Sequence, residues 1–433
     1  MALKTAAAFV EARLNADHSD HDGATRACAC GGVACYRGRR EKRFTSILGR
    51  LRLNRAYYHC PDCGHGHHPR DRALGMEGTS LSPGATRLTG FAAAETSFER
   101  SCQLLKVLAG LAVSAKQVER TAEALGAEIA QEERERVEAA PPPADTMYLG
   151  LDGTGLPVRP SEREGRAGKQ PDGSAKTREV KLVLGWTAGR PAPGQPVQRD
   201  PGSVSYSGAV ESAACHDTDR ELPPFAQRVE REAKRRGFDQ AKRQVAIGDG
   251  AAWIWNTVSE QFPQAIQIVD LFHAKERLWE VAHAAYGKGS DLAAAWAHAR
   301  GAELEAGRIE TVLAALRRLP GEDARAAVGY FHNHRHRMRY AEFRRQGLCV
   351  SSGVVESGCK QVVGHRLKRG GMHWTVDGGN AIIALKCCIL SNRFEDFWAR
   401  RARPATDLIE DSLSDENAQS TGLKPKSRPL KAA

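Results

Sequence analysis

A chain of 433 residues is longer than one hydrophobic core usually organises, so two or three domains are expected. Its 63 Lys and Arg against 52 Asp and Glu give a formal charge of +11, which points to a polyanionic partner such as nucleic acid; the excess is concentrated between Arg26 and Arg72 and between Phe331 and Thr375. No apolar run approaches the ~20 residues that span a bilayer, and the chain opens without a signal-peptide core, so a cytoplasmic protein with no membrane partner is expected and its eleven cysteines suit metal binding and packing better than disulfides.

Residues 1–24 read as a short Ala-rich helix followed by a polar linker. Residues 25–78 read as a zinc ribbon. Cys60-Pro-Asp-Cys63-Gly is a zinc knuckle, in which a tight turn ending in Gly aims two thiolates at one ion, and Cys28-Ala-Cys30-Gly is a contracted version of it. Four thiolates complete a tetrahedral structural site. Cys35 is an alternative to Cys28, and His59, His65, His67 and His68 are nearby competitors that read better as surface residues. Between the knuckles, apolar and basic residues alternate around Gly49 as in a hairpin with one basic face.

Residues 79–140 are helical in pattern. An amphipathic run from Ser97 to Leu108, a turn at Gly110 and a capping box from Ser114 to Gln117 opening a second helix resemble a helix-turn-helix, which would carry Lys116 and Arg120 into a DNA groove. Pro141-Pro-Pro143 then marks a boundary.

From 145 to 400 the pattern turns to α/β. Strands are expected at Tyr148–Leu151, Val180–Thr187, Gln244–Ile247 and Ile266–Asp270, with a Gly- and Lys/Arg-rich loop over Arg159–Thr177 and a helical insertion over about 275–348. Two apolar runs stop on an acid and a glycine, Asp152-Gly153 and Asp249-Gly250, which places a carboxylate on the rim of a sheet where ligands sit. A third acid, Glu356, stands in a helical, otherwise basic segment. Three carboxylates on separate elements are the hard oxygen ligands that two magnesium or manganese ions require for phosphodiester chemistry. Asp270 and His273 follow the last strand at a spacing suited to orienting such a site, and Lys360, Arg366, Lys368 and Arg369 suit contacts to DNA phosphates. Residues 401–433 have the composition of a disordered tail.

Taken together, Asp152-Gly-Thr-Gly, Gly248-Asp-Gly-Ala-Ala-Trp-Ile-Trp255, Val269-Asp-Leu-Phe-His-Ala-Lys-Glu-Arg-Leu278, Val355-Glu-Ser-Gly-Cys-Lys360, Arg366-Leu-Lys368 and Gly371-Met-His-Trp374 resemble the bacterial insertion-sequence transposases of the ISKra type, as does the ribbon with Arg-Ala-Tyr-Tyr-His-Cys60. The resemblance covers roughly residues 25 to 400. It implies a ribonuclease-H-like catalytic core, and it carries the family's catalytic Asp-Asp-Glu onto Asp152, Asp249 and Glu356. It further implies a nucleoid-associated bacterial enzyme that cuts and joins double-stranded DNA at insertion-sequence ends and target, as a homo-oligomer in a synaptic complex. A non-catalytic DNA-binding relative and a nuclease without strand transfer are the competing expectations.

Overall fold

The computed structural model describes residues 2–136, 141–168, 170, 173–189, 197–214, 221–351 and 353–401. The tail expected beyond Arg401 lies outside them. The chain forms two compact units, one of Met1–Thr89, Ser101–Ala115 and the chain from Arg393, the other of Gly90–Arg100 and Lys116–Asn392.

The first unit is built on a hairpin. Helix α1 (Ala2–Ala16) precedes strands β1 (Thr25–Ala27), β2 (Val33–Ser46), β3 (Gly49–His59) and β4 (Gly66–His67), which form an antiparallel sheet in that order. Strands β2 and β3 meet at the pair Ser46 and Gly49, and Gly49 turns the chain at φ 117°, a region that L-residues avoid. Alternation along β3 buries Leu51 and Leu53 and turns Arg50, Arg52 and Asn54 outward, then changes phase beside the irregularity in β2 to bury Ala56 and Tyr58. Helix α1 is not a separate appendage. Its Ala7, Val10 and Leu14 recur every three or four residues and cover Phe44, Leu51, Leu53 and Met76. The polar segment after α1 is also tied down: buried Asp20 accepts from Arg39 and from the Ala56 backbone, and Asp17 accepts from Arg70. Helix α2 (Pro69–Ala73) brings Asp71 between Lys42 and Arg55.

Helices α3 (Pro83–Glu95), α4 (Phe98–Ala109) and α5 (Ala115–Glu135) follow. They make no unit of their own, since the boundaries between the two units fall within α3 and α4 and just inside α5. The expected turn is present at Gly110, where φ is 63°.

The second unit holds a five-stranded mixed sheet of β5 (Thr146–Pro157), β6 (Thr177–Thr187), β7 (Ser205–Ala209), β8 (Arg243–Gly248) and β9 (Ile266–Val269), in the order β7-β6-β5-β8-β9. Strands β5, β6 and β7 pair antiparallel, and β5, β8 and β9 pair parallel. Parallel pairing needs crossovers, supplied by α6 (Pro224–Arg236) before β8 and α7 (Ala252–Gln261) between β8 and β9. Strand β7 and helix α6 have no counterpart in the sequence reading. A helical stretch follows: α8 (Leu271–Tyr286), α9 (Asp291–Glu305), α10 (Ile309–Arg317), α11 (Glu322–His334) and α12 (Tyr340–Arg345). Helix α13 (Gly353–Cys359) runs through a π-helical turn at Lys360–Gly364 into α14 (His365–Leu367); α15 (Val376–Leu390) closes the unit, and α16 (Phe394–Arg401) belongs to the first.

Helix α13 lies directly on the sheet because glycine lets it. A Cβ at Gly150 would come 2.2 Å from Val355, and one at Gly358 would come 2.5 Å from Leu184. Both contacts draw the helix onto β5 and β6 beside the point where β5 delivers its acid.

Candidate functional site

Two carboxylates meet where β8 ends beside the middle of β5, which does not stop at Asp152-Gly153 as its sequence suggests but runs on to Pro157 because β6 pairs with it throughout. Leu151 on β5 is in register with Gly248 on β8, so the next residues, Asp152 and Asp249, emerge side by side. Asp249 is shaped by the turn that follows: its Oδ1 accepts from the Ala251 backbone at 2.9 Å, and its own carbonyl accepts from the Tyr330 hydroxyl at 2.9 Å. Gly250, with φ 105°, makes that turn, and a Cβ there would strike the Tyr330 ring. Asp152 accepts from the Gly153 backbone at 2.7 Å and from the Cys359 thiol at 3.1 Å. Burial raises its pKa, and the like charge of Asp249 pushes the same way; hydrogen bonds from Cys359 and Gly153 and the charge of His273 act against them.

Glu356 is one helical turn before Cys359 on α13, so the helix that touches Asp152 also carries the third acid. Its carboxylate is held elsewhere. Lys360, one turn on, donates to it at 2.5 Å, and both side chains are substantially exposed. Asp152 and Asp249 are neighbours by register, and Glu356 belongs to no group of three metal-binding side chains with ligand atoms within 4.8 Å of one another among the described residues. Among the described residues, the cysteine quartet is the only group of three or more metal-binding side chains with its ligand atoms within 4.8 Å of one another. Cys359 is the contact that reasoning from carboxylates alone missed. Its position one turn from Glu356 was the available signal.

Asp270 and His273 flank this site. Asp270 is buried and caps α8, accepting from the Phe272 backbone at 2.6 Å. His273 Nδ1 lies 2.8 Å from Glu276. Burial works to lower the His273 pKa, but Asp270, Glu276 and Asp152 outweigh it and raise the pKa.

The cations expected to meet DNA divide into exposed and buried. Lys116 pairs with Glu119 at 2.7 Å on the exposed face of α5, and Arg120 is exposed beside it. Lys360 is exposed. So are Lys368, which donates to Thr154 at 2.5 Å, and Arg369, which donates to the His365 carbonyl at 2.6 Å. Arg366 departs from expectation: it is 1% exposed, donates from Nε to the Ala93 carbonyl at 2.6 Å, and lies over the rings of Phe98 and Trp374. Burial, reinforced by Arg369, lowers its pKa to about 10. A guanidinium so enclosed is part of the fold and does not lie on a phosphate-binding surface.

The cysteines of the first unit form a second site. Sγ of Cys28 is 3.6 Å from Cys63 and Sγ of Cys30 is 3.7 Å from Cys60, and all four sulfurs lie within 4.8 Å of one another. A tetrahedron of zinc–sulfur bonds ~2.3 Å long has its sulfurs ~3.8 Å apart. The quartet thus fits a zinc ion, and Cys28 and Cys30 with Cys60 and Cys63 are the set; Cys35 is not in it. The contracted turn works because backbone amides still point at the thiols. The Cys30 amide, ahead of its thiol and those of Cys63 and Cys60, brings the Cys28 pKa down to about 7 against a smaller opposing effect of burial. Gly32 leaves room for Asp62, whose carboxylate would stand 2.2 Å from a Cβ at that position.

The chain matches no family model and no curated protein sequence. Among solved structures it is similar to a chain of the Drosophila P element transposase strand transfer complex, with 9% sequence identity, a TM-score of 0.25, and coverage of 82% of this chain and 90% of that one. So slight a likeness adds no argument, and the reading of the site rests on its own residues. No helix among the described residues is long and apolar enough to cross a membrane.

Proposed function

We propose that the protein is a DNA transposase with a ribonuclease-H-like core, in which Asp152, Asp249 and Glu356 hold two magnesium or manganese ions and cut and rejoin DNA at insertion-sequence ends. The observation that carries this reading is the register of β5 with β8, which sets two carboxylates side by side at the carboxyl edge of a mixed sheet. When bound, such an ion pair activates the attacking oxygen and stabilises the departing one. Asp152 and Asp249 supply two anionic ligands on rigid strands, and Glu356 completes the set once it leaves Lys360. Lys360, Lys368 and Arg369 then meet phosphates around the cut, with His273 keeping Asp152 oriented through its charge. The cysteine quartet takes one structural zinc, and the ribbon with α4 and α5 grips the DNA ends. The working form is a homo-oligomer joining two ends, in a bacterial cytoplasm at the nucleoid.

The test is incubation of the purified chain with magnesium and linear DNA carrying the flanks of its own locus. The expected result is cleavage followed by joined product, both lost in Asp249→Asn. Cleavage without joining would make the protein a nuclease, and a gel shift without cleavage would leave only a DNA-binding protein.

A further inference from the structure

The basic run at the end of the helical stretch forms a surface to which no role has yet fallen. His332-Asn-His-Arg-His-Arg-Met-Arg339 holds three arginines and three histidines and no acid. It is anchored through its less exposed members. Tyr330, one turn before His334, donates to the Asp249 carbonyl at 2.9 Å, and the His334 ring lies 5.1 Å from the Tyr330 ring. Arg337 lies over the Trp255 ring at 4.6 Å and donates to Gln267 at 2.7 Å, which ties the run to α7 and β9. The run is therefore fixed beside the edge that carries Asp249, and His332, Arg335, His336 and Arg339 are left exposed.

The protein neutralises this surface only in part. Among the described residues its one ion pair is that of Arg339 with Glu342. Arg335 turns Nη1 to the ring and carbonyl of His332, capping α11, while its Nε and Nη2 have no protein partner among the described residues. Burial first, and then the charges of Arg337, Arg335 and Arg339, lower the His336 pKa, as an uncompensated positive field does. A partner that meets this face must be anionic. The exposed side chains His332, Asn333, Arg335, His336 and Arg339 are all polar, whereas protein partners meet around apolar and aromatic anchors, so a phosphodiester backbone is favoured over an acidic protein. Two guanidinium nitrogens left open together suit a phosphate, which accepts from such a pair at once.

We infer that Arg335, flanked by His332 and His336, is a sequence-independent contact to the phosphate backbone of duplex DNA lying across the Asp249 edge. Resting on the proposed transposase reading, this gives the helical stretch a hold on DNA in addition to those assigned to the ribbon and to Lys368.

The test measures the affinity of the full-length protein for two duplexes of unrelated sequence over a range of salt, in Arg335→Gln and in Arg317→Gln. Both positions are exposed on the same helical stretch, and both variants change the net charge equally, so the second is the control for charge alone. Gln at position 335 keeps a donor for the His332 carbonyl, and the Tm should match the parent's. Arg335→Gln is expected to lower the slope of log affinity against log salt by about 1 on both duplexes, and Arg317→Gln to leave it unchanged. An unchanged slope in Arg335→Gln, an equal loss in Arg317→Gln, a loss on one duplex alone, or displacement of the DNA by inorganic phosphate at matched ionic strength would each overturn the contact. Weakened binding of polyglutamate with DNA binding untouched would overturn it in favour of an acidic protein. A parent that cuts and joins DNA while Arg335→Gln keeps the parental slope would lose this contact and retain the transposase reading. A protein that shows the Arg335 effect and never cuts DNA would retain the contact and lose that reading.

Discussion

The cysteine quartet and the three acids proposed as a second metal set differ in how the fold gathers them: the sulfurs lie within 4.8 Å of one another, and no such group of three contains the acids among the described residues. Two of the cysteines sit in each of two tight turns, and the pairing of Cys35 with His59 and of Tyr58 with His67 holds those turns together, so backbone geometry alone brings the sulfurs within 4.8 Å. The acids come from β5, from the turn after β8, and from a helix beyond the whole helical stretch. Three like charges repel, and nothing short of counter-charge repays their approach. Only the two fixed by strand register are adjacent; the third, on the short helix that leads into a π-helical turn, pairs with the nearest cation. The sulfur set is therefore complete in the fold, whereas the proposed acid set is not drawn together by backbone geometry alone.

This contrast predicts opposite responses to removing a ligand. Cys60→Ser, or a strong chelator, should release one zinc per chain and expose residues 25–78 to protease, because metal binding in such a module is worth on the order of 10 kcal/mol and its own core is small. Retention of the ribbon without zinc would break the comparison. Asp249→Asn should leave folding intact or raise the Tm, by relieving repulsion with Asp152, while cleavage falls at least ~100-fold; Glu356→Gln should behave alike. Near-normal cleavage by either variant would remove that acid from the site.

Basic residues sharpen the same distinction between what holds the fold and what meets a partner. Arg366→Ala should cost about 2 kcal/mol in denaturant unfolding, since it empties a buried position and orphans the Ala93 carbonyl. Lys368→Ala should leave stability within ~0.5 kcal/mol and instead lower the slope of log affinity for DNA against log salt by about 1. The smallest effect concerns His273. Its folded pKa is raised, so its stabilising contribution is fully present below about pH 6.5 and is lost as pH climbs through the raised value. His273→Gln should flatten that part of the Tm profile by on the order of 2 °C, and an unchanged profile would mean that Asp270, Glu276 and Asp152 do not hold its proton.

By itself the sequence determined the elements whose signal is local. Apolar runs ending on Asp-Gly announce strands that deliver Asp152 and Asp249, the spacing of Cys60 and Cys63 announces a knuckle, and alternation around Gly49 announces the hairpin, because each follows from the geometry of a few consecutive residues. Strand β7 was not legible, since Ser205-Tyr-Ser-Gly-Ala209 has little apolar content and is a strand only because β6 pairs with it. Arg366 reads as solvent-facing within a basic run, and only the approach of Ala93 and Phe98, more than 260 residues earlier, encloses it. The choice of Cys28 and Cys30 over Cys35 depended on which sulfurs the closed hairpin brings to Cys60 and Cys63. The contact of Cys359 with Asp152 was likewise decided by tertiary structure, because the burial and charge around a side chain come from segments that are neighbours in space and distant along the chain.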